Sequence, residues 1–257
     1  MSGFERVNML GVGVTPINMA TAFTTLDQWH KEGRNDYVCF TTVNGLMHAD
    51  RDPEVRRAFN QAGLATEDGM PVVWWCRHAG YRDAGRVYGP DLLLGMSERS
   101  PRLGYRHFFY GGNPGVAEKL AESLCSRFPG LLVAGCYSPP FRPLTAEEDE
   151  AVIEVINHAA PDFVWVGLGT PKQEKWMADH VGKIRATALL GVGAAFDFLS
   201  GEKPQAPYWM RKSGLEWAFR LATEPRRLAR RYIVDNSMFV LRAIQQGSGL
   251  KSYAQEW

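Results

Sequence analysis

The chain has 257 residues, 45% of them hydrophobic, with eight tryptophans. That is enough for one full α/β core with a small addition, and it excludes long disorder. The formal net charge of +1 excludes a polyanion binder acting through the whole surface.

In chain order, a β-branched and aromatic run at 37–43 reads as the first strand, and a helix-like segment follows at 53–62. Asp68-Gly69 forms a turn from which an apolar helix begins. A second turn, Arg86 to Asp91, leads into a helix at 91–97. Strands at 107–110, 131–137, 163–166 and 187–192 then alternate with helices at 116–128, 146–158 and 172–180. Alternation of this kind predicts an α/β fold: a mostly parallel sheet with helices on both faces. The strands are continuously apolar, as buried parallel strands are. After Gly201 the cues are helical only. Pro204 and Pro207 lead into one helix over 208–222, and Pro225 starts another running to about 244. The expected organisation is therefore an α/β domain over 1–201 and a helical C-terminal appendage over 202–257.

Membrane and redox signals are few. No run of about 18 apolar residues predicts a transmembrane helix. Met1 to Leu10 lacks the basic-then-apolar pattern of a signal peptide. The cysteines Cys39, Cys76, Cys125 and Cys136 match no zinc or redox spacing, so a reducing cytosol is expected, with Cys39 and Cys136 as core thiols. The charge is uneven: from Lys203 to Arg231 there are eight basic and two acidic residues, a local +6 against −5 for the remainder. That asymmetry points to an anionic partner near the C-terminus.

Several strands end in glycine-rich tips: Thr42-Val43-Asn44-Gly45, Gly111-Gly112-Asn113-Pro114-Gly115, Gly167-Leu168-Gly169-Thr170-Pro171 and Gly191-Val192-Gly193-Ala194. Ligands of open α/β sheets bind beyond the carboxyl ends of the strands, so these loops are expected on one rim. Glycine allows close backbone approach, and free N–H groups at helix starts bind phosphate. None of the Gly-x-Gly pairs completes a dinucleotide fingerprint, and no P-loop is present, which disfavours NAD and P-loop ATPase chemistry. The six histidines show no ligand spacing, so no metal is expected, and no Gly-x-Ser-x-Gly elbow supplies a hydrolase nucleophile.

Single residues read two ways. Asp68 is a helix cap or a general base for a hydroxyl nucleophile. Arg86 is a surface charge or a planar fork for phosphate. Lys172 lies in the first turn of a helix, where a cation opposes the helix dipole and a bound phosphate would compensate. Asp197, between two phenylalanines, caps a turn or accepts from a base or sugar. The arginine- and aromatic-rich segment from Ala206 to Tyr232 is a solvated helix face, an RNA surface, or a site for anionic headgroups or a diphosphate. Trp209, Trp217, Phe219, Ile233, Phe239 and Val240 exceed what a lone appendage needs. They leave the core, another subunit in a homo-oligomer, or lipid as partners.

Taken together, Thr42-Val43-Asn44, Asp68-Gly69, Arg86 with Gly89-Pro90-Asp91-Leu92, Gly167 to Glu174, Gly191 to Phe198, Gly214-Leu215-Glu216-Trp217, Arg220, Glu224-Pro225 and Arg227 resemble the WecG/TagA/CpsF family of bacterial glycosyltransferases (glycosyltransferase family 26). The resemblance covers roughly residues 8 to 240. It implies a Rossmann-like domain with a C-terminal appendage, and inverting, metal-independent transfer from a UDP-sugar. The implied acceptor is an undecaprenyl-diphosphate-linked saccharide at the inner face of the cell membrane, in cell-surface or exopolysaccharide biosynthesis. No cofactor and no nucleic acid partner is implied. Carried onto this chain, Asp68 looks like the catalytic base. Thr42 and Asn44 look like sugar-side residues. Gln173, with Arg86, Gly111, Gly169 and Lys172, looks like part of the donor and acceptor site, and Asp197 like a uracil contact. Arg220 and Arg227, with Arg230 and Arg231, look like residues for the acceptor diphosphate and an anionic membrane surface. The chain departs from the family pattern at Glu67, where proline is common, at Met70-Pro71, and at Gln205. The donor stays open among UDP-N-acetylmannosamine, its uronic acid and UDP-glucose. The alternative is a non-catalytic nucleotide- or RNA-binding module.

Overall fold

Residues 3–254 are described by a computed structural model. A short antiparallel hairpin, β1 (Val7–Met9) and β2 (Val12–Val14), precedes helix α1 (Met19–Lys31). Then come β3 (Asp36–Thr41), α2 (Val43–Arg51), α3 (Pro53–Gln61), β4 (Leu64–Glu67), α4 (Met70–His78) and α5 (Gly89–Leu103). The alternation continues with β5 (Arg106–Gly111), α6 (Val116–Arg127), β6 (Leu132–Tyr137), α7 (Ala146–Ala159), β7 (Phe163–Gly167), α8 (Lys172–His180) and β8 (Ala188–Leu190). The chain closes with α9 (Ala195–Leu199), α10 (Tyr208–Lys212), α11 (Glu216–Thr223) and α12 (Pro225–Gly247).

Strands β3 to β8 form one sheet in the order β4-β3-β8-β7-β5-β6, and every neighbouring pair is parallel. The α/β expectation holds, with helices on both faces. One core cluster joins Leu46, Phe59, Val72, Ile156 and Met177 from α2, α3, α4, α7 and α8. The other joins Leu26, Leu92, Met96, Leu120 and Phe196 from α1, α5, α6 and α9. Phe163, Val164, Trp165 and Val166 of β7 are all fully buried, which explains the unbroken apolar run. Cys39 is buried, whereas Cys136 is only half-buried.

Several boundaries differ from the sequence reading: the helix expected at 91–97 runs from Gly89 to Leu103, the strand expected at 187–192 spans only Ala188–Leu190, and two further differences have a clear local cause. The run at 37–43 stops at Thr41, because Thr42 turns the chain: its hydroxyl accepts from Gly45 N at 3.2 Å and caps α2. The single helix expected over 208–222 is two helices. Gly214 between them has φ +78°, the left-handed conformation in which helices end. Pro225 does open α12. That helix docks on α2 through Arg51–Asp235 and through Arg242–Asp50 at 2.6 Å, with Phe239 buried against the core. Trp209, Trp217, Ile233 and Val240 remain exposed.

Candidate active site

The strand tips meet over the carboxyl edge of the sheet. They line a cavity of about 1080 Å³ whose wall also includes α11 and the start of α12. Its size is at the upper end of the range for ligand sites and leaves room for two substrates. Thr42, Asn44, Asp68, Arg86, Gly169, Lys172, Gln173, Asp197, Arg220 and Arg227 all reach it. Gly111 does not, and Gly112 and Asn113 line the wall instead. The role of Gly111 is structural: at φ +126°, a Cβ there would lie 2.6 Å from the carbonyl carbon of Gly167 on the neighbouring strand.

Asp68 follows directly on β4 and is pinned from three directions. Its backbone N–H donates to Thr41 O at 3.0 Å, holding it to the tip of β3. Arg86 donates from Nε to its backbone carbonyl and, at 3.1 Å, to its Oδ1, and Arg86 Nη2 lies 3.0 Å from the same oxygen. The guanidinium also holds the C-terminal segment: the same Nη2 lies 2.7 Å from Glu216 Oε2, and Nη1 donates to Arg211 O at 3.1 Å. The guanidinium stacks 4.1 Å from the ring of Tyr88, whose hydroxyl donates to Glu216 Oε1 at 3.1 Å. Arg86 is thus neither a free surface charge nor a free phosphate fork.

Removal from water pushes the Asp68 carboxyl up to about 6. The Arg86 cation opposes that rise and the Glu216 carboxylate adds to it. A carboxylate in that range is suited to accept a proton near neutral pH.

Gln173 braces the rim. Its Oε1 accepts from Gly169 N at 3.1 Å, and its Nε2 donates to Gly191 O at 2.5 Å and to Glu174 Oε1 at 3.1 Å. The amide therefore ties the tip of β7 to the tip of β8. Glu174, fully buried behind it, also accepts from Thr170 Oγ1 at 2.9 Å, and burial pushes its carboxyl up to about 7.

The cations divide into two sets. Asp197 pairs with Lys203 at 2.7 Å, and Arg227 pairs with Glu224 at 2.7 Å. Lys172, at the start of α8, makes no ion pair among the described residues. Arg220 makes none either; its Nε is buried without a partner and its guanidinium lies 5.6 Å from the Phe198 ring. The Asn44 Oδ1 is likewise buried and unpartnered. The side chains of Arg230 and Arg231 lie outside the described residues. Among the described residues, no three His, Cys, Asp or Glu side chains group as metal ligands, and no helix is long and apolar enough to cross a membrane. Sequence reasoning gave Tyr88 and Glu216 no role; Glu216 carried a signal only as part of the Leu215-Glu216-Trp217 stretch.

A parallel sheet with an acid at one strand tip, and cations without ion pairs among the described residues lining the same cavity, is an arrangement suited to group transfer. The family model described as "Glycosyl transferase WecG/TagA/CpsF family" matches residues 7–253, and the protein is a glycosyltransferase. It belongs to the WecG/TagA/CpsF family. Similar curated proteins include the N-acetylglucosaminyldiphosphoundecaprenol N-acetyl-beta-D-mannosaminyltransferases of Staphylococcus aureus strains NCTC 8325 / PS 47, COL and MRSA252. Each is 26% identical over 231 residues, covering 89% of this chain and 89% of the relative. Family membership sets aside the non-catalytic module.

Proposed function

We propose that this enzyme transfers N-acetylmannosamine from its UDP derivative to N-acetylglucosamine on undecaprenyl diphosphate, in the assembly of a cell-surface polysaccharide. The observation that carries this reading is that Asp68 and the cations Lys172 and Arg220, which make no ion pair among the described residues, line one cavity. The name shared by the similar proteins supports the choice of sugar and acceptor. An acceptor hydroxyl attacks the anomeric carbon while Asp68 takes its proton. The bond to the UDP oxygen breaks on the opposite face, so the anomeric centre inverts and UDP leaves with the electron pair. Lys172, the N–H groups at the start of α8 and Arg220 meet the diphosphate charge, so the step runs without a metal. Thr42 and Asn44 lie on the sugar side. Arg227 reaches the acceptor diphosphate after leaving Glu224, and Asp197 reaches the uracil after leaving Lys203.

The basic segment 202–257, with exposed Trp209 and Trp217, then rests on the anionic inner face of the membrane where such an acceptor resides. The exposed Ile233 and Val240 face lipid or a second copy of the chain.

The test is transfer from UDP-N-acetylmannosamine, its uronic acid and UDP-glucose to an N-acetylglucosamine-diphospho-polyprenol, with and without EDTA. Product from the first donor alone, unaffected by EDTA, is expected. Asp68→Asn should abolish transfer while UDP still raises the melting temperature. Full activity in that variant would remove Asp68 as the base.

A further inference from the structure

The three contacts of Arg86 join parts of the chain that are far apart in sequence. Asp68 follows β4, Arg86 precedes α5, and Glu216 opens α11. Arg86 and Glu216 side chains are 18% and 13% exposed, so solvent screens this pair little. The bond from Tyr88 to Glu216 is extended by Gln205 Nε2, which donates to the Tyr88 hydroxyl at 3.2 Å, and Arg211 pairs with Asp91 at 2.8 Å. Backbone shape supports the same docking. A Cβ on Gly214 would lie 3.2 Å from Met70 Cγ, so the turn between α10 and α11 sits directly on the first residue of α4, two positions after Asp68. Four polar contacts and one close packing contact thus converge on the α10–α11 segment.

We propose that Glu216 is a positioning residue: by sharing Arg86 Nη2 with Asp68 Oδ1, it fixes the guanidinium that holds the Asp68 carboxylate in its catalytic place. The inference rests on Asp68 acting as the base. The charged groups facing Asp68 are Arg86 from the loop before α5 and Glu216 and Arg220 from α11, and the Tyr88 hydroxyl adjoins them. Of these, among the described residues, Glu216 is the group that adds negative charge.

Two variants test it, each alone and combined with Arg86→Met: Glu216→Gln, which keeps size and removes charge, and Gly214→Val, which blocks the turn sterically. Kinetics use UDP-N-acetylmannosamine and the N-acetylglucosamine-diphospho-polyprenol. Glu216→Gln should lower kcat by about a hundredfold, the scale expected for a misplaced catalytic group. It should leave UDP affinity unchanged and move the acid limb of the pH profile to lower pH. The effects of Glu216→Gln and Arg86→Met should be far from additive, because both break one unit.

Hydrogen exchange gives a readout independent of turnover. In both single variants, protection should fall at 205–223 and also at 67–71. Loss confined to 205–223, with an unshifted pH limb, would overturn the coupling and leave Glu216 a local structural contact. Wild-type kcat in Glu216→Gln, while Asp68→Asn is inactive, would overturn the coupling but keep the base. Activity in Asp68→Asn would instead fail the underlying reading.

Discussion

The acid limb of the pH–rate profile is where the Asp68 environment becomes measurable. The carboxyl is pushed up to about 6 by burial, with Glu216 adding to the shift and Arg86 opposing it. A base with that pKa is about nine-tenths ionised at pH 7 and about one-tenth ionised at pH 5. The value of kcat/KM should therefore fall ~tenfold between those pH values, with unit slope below pH 6. An aspartate at its ordinary value near 3.9 would lose less than about a tenth over the same range. The assay is initial-rate transfer at sub-saturating donor in constant-ionic-strength buffers, with enzyme stability checked at each pH.

The sign of the shift is testable with charge variants. Glu216→Gln removes the anion that opposes ionisation, so the limb moves to lower pH. Arg86→Met removes the stabilising cation, so it moves higher. Stability follows the same linkage. The raised pKa means the folded state favours the neutral acid, a contribution fully present below the unfolded value and lost as pH rises through about 6. At pH 8 the ionised group costs up to about 3 kcal/mol. Asp68→Asn should therefore melt at or above the wild-type temperature at pH 8, with the difference shrinking towards pH 4. A profile flat down to pH 5, or a limb that moves the same way in both charge variants, would refute this account of the base.

Two further outcomes separate framework from ligand contacts on the rim. Gln173→Leu leaves Gly169 N–H and Gly191 C=O without their side-chain partners. It should cost about 1–3 kcal/mol for each buried group left unpaired, seen as a lower urea midpoint, together with loss of UDP binding. Wild-type stability with weakened UDP binding would instead make Gln173 a direct ligand contact. Lys172→Met removes an exposed cation without an ion pair among the described residues, so stability should stay within about 0.5 kcal/mol. UDP affinity measured by calorimetry should fall about tenfold, an effect that shrinks as salt rises; unchanged affinity at low salt would remove Lys172 from the diphosphate site.

Much of this was written into local pattern. Strands β3, β5, β7 and β8 are legible because both of their faces are covered, which demands continuous apolar runs, and glycines mark where several of those runs end; β6 reads as a strand from its apolar composition although it is only half-buried at the sheet edge. The position of Asp68 beside a turn and a helix start was legible for the same reason. Strand β4 was not: Leu64-Ala65-Thr66-Glu67 carries two polar side chains that are nevertheless fully buried at the sheet edge. The break between α10 and α11 has no clear local signature: Gly214 reads as a residue within a helix, and only its left-handed backbone ends one. Gln173 is singled out by the resemblance and lines the cavity, and only the tertiary structure shows that its amide also ties two strand tips together.

The sequence by itself determined the α/β alternation, the glycine tips and the segregation of basic charge near the C-terminus, since burial and helix punctuation act over a few neighbouring residues. Only the tertiary structure decided that Asp68, Arg86 and Glu216 form one unit. Arg86 lies 18 positions from Asp68 and 130 from Glu216. Ion pairs at such separations depend on how whole helices dock, and no local periodicity encodes that.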